Sequence, residues 1–140
     1  AEVTDDLHSQ PNSGSPIWKG DCMQVCFKLP SQDGFWEIGA ARSDSGRPEV
    51  FVFHAPTGFD REKVARKIRL QTKRNGDRTF YSLRIPLKSC AMTPELLRSG
   101  FRFNLLINDN DGEGRDGWIQ IAPGIGDEKN PGKFPFVIFE

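Results

Sequence analysis

Long apolar runs are missing from this chain. No stretch approaches the ~18 residues that a membrane-spanning helix needs, so nothing in it reads as a membrane segment. A charge surplus is missing as well. Nineteen basic residues balance nineteen acidic ones, which removes the electrostatic footprint of a nucleic-acid or anionic-membrane binder. Histidine is scarce, with His8 in a polar stretch and His54 at a strand end. No Cys/His spacing resembles a zinc site, and no glycine-rich loop is placed to cradle phosphate. No G-x-S-x-G or Cys–His pattern offers a nucleophile with its base. The carboxylates are plentiful, but they sit in loops, where solvated charge is the ordinary reading. The expectation is a chain that is not an enzyme. Its first residues, Ala1-Glu2-Val3-Thr4-Asp5-Asp6, do not read as a signal peptide.

Cysteine is sparse too. Cys22 and Cys26 stand four apart in a likely strand, and Cys90 lies far downstream. Strand residues four apart share a face but lie roughly 13 Å from each other, too far for a disulfide. Either one pairs with Cys90 and leaves an odd thiol, or all three are reduced and partly buried.

Helix signals are nearly absent and strand signals recur. In "KIRLQTKRNGDRTFYSLRIPL", Ile68, Leu70 and Thr72 alternate with charge, Asn75-Gly76 supplies a turn, and Tyr81, Leu83 and Ile85 alternate on the return. That pattern predicts a hairpin with one wet and one buried face. Further strands are expected at "MQVCFKL", "FWEIGAA", "EVFVFHA", "FRFNLLIN", "WIQIA" and "FPFVIFE". In the first, Met23, Val25 and Phe27 share one face, while Cys22, Gln24 and Cys26 share the other. One short helix is expected at "TPELLRSG", with Thr93 as cap, Pro94 in the first turn and Gly100 at the end. The 140 residues suit one domain. The fold class is all-β: an antiparallel two-sheet sandwich, immunoglobulin-like or jelly-roll-like.

One loop stands out. "NDNDGEGRDGW", from Asn108 to Trp118, holds three Asp and one Glu in eleven residues. Asp109, Asp111 and Glu113 alternate, with Gly114 in the sixth position, as in the first half of a calcium loop. The second half departs, because Gln120 stands at the twelfth position and Trp118-Ile119 reads as strand. Asp5 and Asp6 are the distant donors that could complete a calcium shell. A hydrated acidic turn is the other reading, and both stay open.

Trp18 lies outside the strand patterns, so a core role is less forced for it. Sugar rings stack apolar C–H faces on flat aromatics, while amides, carboxylates and Arg bond their hydroxyls. Trp18, Gln24 and Arg115 make such a set. Trp36 and Trp118 read first as core.

In order along the chain, "VTDD", "PIWKGDCMQVCF", "FRFNLLINDNDGEGRDGWI" and "NPGKFPFVIF" resemble the family 9 carbohydrate-binding modules and the wider DOMON-like sandwiches. The resemblance spans almost the whole chain, as one domain over residues 1–140. It implies a noncatalytic module that binds sugars or polysaccharide ends. Such modules are usually attached to a secreted polysaccharide-degrading enzyme, so an extracellular, cell-surface or periplasmic place and a larger multidomain parent are implied. It implies structural calcium, and it gives Trp18 as a platform, Gln24 in a hydrogen-bonding position, and Asn108, Asp109, Arg115 and Gly117 in the loop motif.

The departures are specific. A second platform tryptophan is absent from "GIGDEKNPGKF", where Glu128 or a neighbour stands instead. Glu37 replaces an expected arginine and Leu106 an expected polar residue. Trp36 is the remaining candidate for a second platform. Family members also carry strands before the "VTDD" position, so the sandwich is expected to lack its first strands and to expose backbone there. Two rival functions follow: a degenerate sandwich serving as an interaction or spacer domain, and a b-type haem electron-transfer domain using Met23 or Met92 with His8 or His54.

Overall fold

The computed structural model describes residues 1–139. Nine strands form two antiparallel sheets, in agreement with the all-β sandwich expected. The small sheet has the order β1-β6-β5, from β1 (Glu2–Thr4), β5 (Arg69–Asn75) and β6 (Arg78–Arg84). The large sheet runs β4-β3-β2-β7-β8, with β2 (Cys22–Lys28), β3 (Trp36–Arg42), β4 (Pro48–His54), β7 (Phe101–Asp109) and β8 (Gly117–Gln120). The short β9 (Phe136–Val137) pairs with β7. The last predicted strand extends to Glu140, which lies outside the described residues.

Period-two alternation on β2 sets the layers. Met23, Val25 and Phe27 join Trp36, Ile38, Ala40 and Val52 in the main core. Their neighbours Cys22, Gln24 and Cys26 point to the opposite face of the large sheet. That second face is also buried. Cys26 packs with Leu106, Ile125 and Phe134, and Cys22 with Ile17 and Ala41. A strand buried on both faces cannot leave a polar side chain unpaired, and this constraint shapes the site below.

The predicted hairpin is present as β5 and β6, and Asn75 pairs with Arg78. The corner is therefore Gly76-Asp77, one residue later than expected, and Gly76 takes φ 60°, a left-handed value that glycine adopts at little cost. The predicted helix is α2 (Pro94–Ser99), and the Thr93 hydroxyl accepts from the Leu96 N–H. A second helix, α1 (Arg61–Ala65), was not expected. It is a single turn whose Asp60 cap accepts from the Lys63 N–H, and it buries only Val64, too little apolar periodicity to read. All three cysteines are free and buried. Burial pushes the Cys22 and Cys90 thiols up to about 12 and raises Cys26 as well, so they are inert packing residues rather than nucleophiles.

Trp36 corrects one expectation. It is fully buried, it stacks on Phe27 and meets Phe59 edge-on, and its indole N–H donates to Gln32 Oε1. It is core, not a ligand platform. Trp36→Ala is expected to cost about 3–5 kcal/mol in urea unfolding. Trp18→Ala, at a 37% exposed position, is expected to cost less than about 1 kcal/mol.

Candidate functional site

The outer face of the large sheet carries a cavity of about 290 Å³, at the small end for ligand sites. Gln24, Glu37 and His54 come from β2, β3 and β4, Trp18 from a short 3-10 turn, and Arg115 from the acidic loop. Lys129 arrives on the long connection between β8 and β9. That connection is pinned by Asn104, whose Nδ2 donates to the Ala122 carbonyl at 2.7 Å, and by burial of Ile125 and Phe134.

The strand register explains how the floor forms. Cys26 pairs with Glu37, Gln24 with Gly39, and Cys22 with Asn108. A register irregularity between Glu37 and Ile38 lies where β3 meets β4, and such bulges re-aim side chains beside sites. Gly39 has no side chain to fill the hollow, and a Cβ there would lie 2.6 Å from the Phe53 ring.

Across this floor runs one chain of hydrogen bonds. Arg115 Nη1 donates to Asn108 Oδ1 at 3.1 Å, and Asn108 Nδ2 donates to Gln24 Oε1 at 3.1 Å. Gln24 Nε2 then donates to Glu37 Oε1 at 2.8 Å, and Lys129 Nζ donates to the same oxygen at 2.6 Å. A cation at each end fixes both amides. Glu37 is only 1% exposed, and its second oxygen, Oε2, is buried with no hydrogen-bond partner. His54 Nε2 stands 3.5 Å from that oxygen, too far for a good hydrogen bond. An orphaned carboxylate oxygen in a buried position is costly unless something donates to it.

The aromatic wall differs from the expected stack. Arg115 lies between two indoles, its Cζ 5.2 Å from the Trp18 ring and 4.3 Å from the Trp118 ring. Trp118, expected in the core, is 37% exposed. Its ring is backed by Gly126, where a Cβ would come within 2.2 Å of the indole nitrogen. The paired tryptophans hold a guanidinium, an arrangement that the cation–π attraction favours.

Of the sequence-derived ligand residues, the structure gathers Trp18, Gln24, Asn108 and Arg115 and leaves Trp36 in the core. Glu37 and Lys129 were missed as ligand residues, although Glu37 had been singled out as a departure and Lys129 is the neighbour of Glu128. Glu128, the neighbour considered there, pairs with Lys133 instead. Leu106 is fully buried in the outer packing cluster. The haem candidates are scattered. Met23 is in the core between the sheets, Met92 packs against that core, and His54 lines the cavity on the opposite face. His8 Nε2 bonds the Arg42 carbonyl at 2.7 Å, while Nδ1 faces Asp21 Oδ2 at 3.1 Å. The Asp21 carboxylate raises the His8 pKa.

The acidic loop is organised from within. Asn110 Oδ1 accepts from the Gly112 and Gly114 N–H groups, and Asp21 Oδ1 accepts from the Asn110 N–H. Asp116 takes the Asp111 N–H. Three carboxylates, on Asp5, Asp109 and Asp111, bring oxygens within 4.8 Å of one another. Asp6 and Glu113, also expected as metal ligands, do not join that group. Burial, with the neighbouring Asp111, Asp21, Asp5 and Asp116 charges, raises the Asp109 pKa. Burial with the Asp21 charge does the same for Asp5.

A wider hollow of about 480 Å³, lined by Gln10 to Ser13 and Ser43 to Glu49, offers less. Its carboxylates are committed, Asp44 to the Gln10 N–H and Glu49 to Ser13 and Gly14. Comparison with protein-family models, curated proteins and solved structures found no match.

The ion pair at the floor is testable alone. Lys129→Ala leaves Glu37 buried without its cation and is expected to cost about 1–3 kcal/mol in urea unfolding. Adding Glu37→Gln to it is expected to recover most of that loss. Strictly additive losses would show that the two side chains do not depend on each other.

Proposed function

We propose that this chain is a noncatalytic carbohydrate-binding module whose ligand enters the cavity on the outer face of the large sheet. The observation that carries this reading is the lining of that hollow, where Arg115, with only one of its N–H donors used, stands beside the exposed Trp18 and shares the cavity with Lys129. A sugar hydroxyl accepts from such N–H groups, and the exposed face of Trp18 supplies an apolar surface for ring C–H groups. The cavity has the scale of a chain end or a single residue rather than of a long polymer groove. The resemblance to family 9 modules supports the same reading, and with it a place outside the cell or in the periplasm, within a larger polysaccharide-degrading protein.

The rival spacer reading gives the unused donors of Arg115 beside the exposed Trp18 no role. A haem reading requires a methionine and a histidine on one cavity, and the candidate residues lie apart.

Calcium is the second part of the proposal. Three carboxylates within mutual reach form a hard oxygen set that fits a divalent cation, so Asp5, Asp109 and Asp111 would hold it. Its charge would relieve the repulsion within the loop and fix the segment that carries Arg115. The sign without metal follows from the raised pKa values. The fold holds protons on Asp5 and Asp109 more tightly than the unfolded chain does, so stability falls as pH rises from the ordinary 3.8 through the raised values.

Two measurements test the proposal. Tryptophan fluorescence titrated with mono-, di- and oligosaccharides is expected to saturate, with the response lost in Trp18→Ala and in Gln24→Ala. No response to any sugar would defeat the carbohydrate reading. Calcium at neutral pH is expected to raise the melting temperature. Asp109→Asn is expected to melt higher than wild type in chelator and to lose the calcium response. An unchanged wild-type melting point on adding calcium would remove the metal from the account.

A further inference from the structure

We infer that the cavity selects an acidic saccharide, a uronate, whose carboxylate meets Arg115; this rests on the carbohydrate reading above. The first ground is the state of Arg115. Among the described residues it forms no ion pair, although it sits in an acidic loop, and only one of its hydrogen-bond donors is used, toward Asn108. A guanidinium has five such donors in a planar fork that matches a carboxylate. Trp18 and Trp118 hold its plane, so little freedom remains to be lost on binding.

The second ground is the charge balance of the lining. Glu37 is neutralised by Lys129 at 2.6 Å, which leaves the Arg115 charge without a partner. A neutral sugar would leave it so, and a cationic sugar would oppose it. A uronate completes the pairing.

The third ground is compatibility. A carboxylate can take the unused donors of the fork without displacing the guanidinium from either indole.

The experiment is a calorimetric titration of the whole chain with glucuronate, galacturonate, glucose, galactose and acetate at low and moderate salt. At least one uronate is expected to bind ten times or more tighter than its neutral counterpart. That advantage should shrink with added salt and vanish in Arg115→Ala. Arg115→Lys, which keeps the charge and loses the fork, is expected to retain only part of it, and circular dichroism checks that both variants are folded. Equal or tighter binding of the neutral sugars would overturn the uronate inference and leave the carbohydrate reading standing. Acetate binding as tightly as the uronates would overturn it too, since the sugar would then contribute nothing. Binding of none of the five would overturn both.

Discussion

A buried carboxylate has to be matched, and the arrangement around Glu37 follows from that requirement. β2 and β3 are covered on both faces, so a charge placed there has no water to turn to. Lys129 and Gln24 answer one oxygen. Gln24 then has its carbonyl oxygen directed at Asn108, and Asn108 its own at Arg115. Each amide can point only one way, because the ends of the chain are a carboxylate and a guanidinium. The loop carrying Arg115 and the connection carrying Lys129 are tied to the same floor, although they are far apart in sequence. Such a network ties two distant segments to one buried carboxylate and leaves unused donors at its Arg115 end.

Much of the fold was legible because its signals are local. The alternation of Met23, Val25 and Phe27 against Cys22, Gln24 and Cys26 gave the two faces of β2. The β5–β6 hairpin, though not the exact residues of its corner, and the Thr93 cap needed only a few neighbouring residues. The same alternation in "FWEIGAA" puts Trp36 on one face with Ile38 and Ala40, which is why it is core and could not serve as a platform. Trp118 was misjudged for the opposite reason. Its strand is short and lies at the end of the sheet order, and one exposed indole face is decided by Arg115 and Gly126, not by period two.

The cationic partner of Glu37, Lys129, was not legible, because it comes from a connection with no period at all. Ile125, Gly126 and Lys129 reach the site only because Asn104 holds the backbone at Ala122 and because Phe134 is anchored between Cys26 and Leu106. Those are tertiary facts. The acidic loop was read as a source of ligands, yet Asn110 and Asp116 are spent on its own backbone. What remains is a smaller set than composition suggested, and Asp5, just after β1 and paired with Arg74 at 3.3 Å, brings its carboxylate within reach of Asp109 and Asp111.

The two halves of the loop therefore do opposite electrostatic work. Asp109, the last residue of β7, and Asp111 repel each other where the loop begins, while Arg115, a few residues on, is drawn over the sheet by two indoles and an amide oxygen. In a loop this rich in carboxylates, a guanidinium would ordinarily pair with one of them. It does not, because the bond to Asn108 and the contacts with Trp18 and Trp118 fix it on the cavity side. Surface ion pairs contribute little, whereas an aromatic sandwich plus a hydrogen bond to a buried amide is a stiffer restraint. The sequence "GEGRDGW" thus separates its charges by geometry: negative toward solvent, positive toward the hollow.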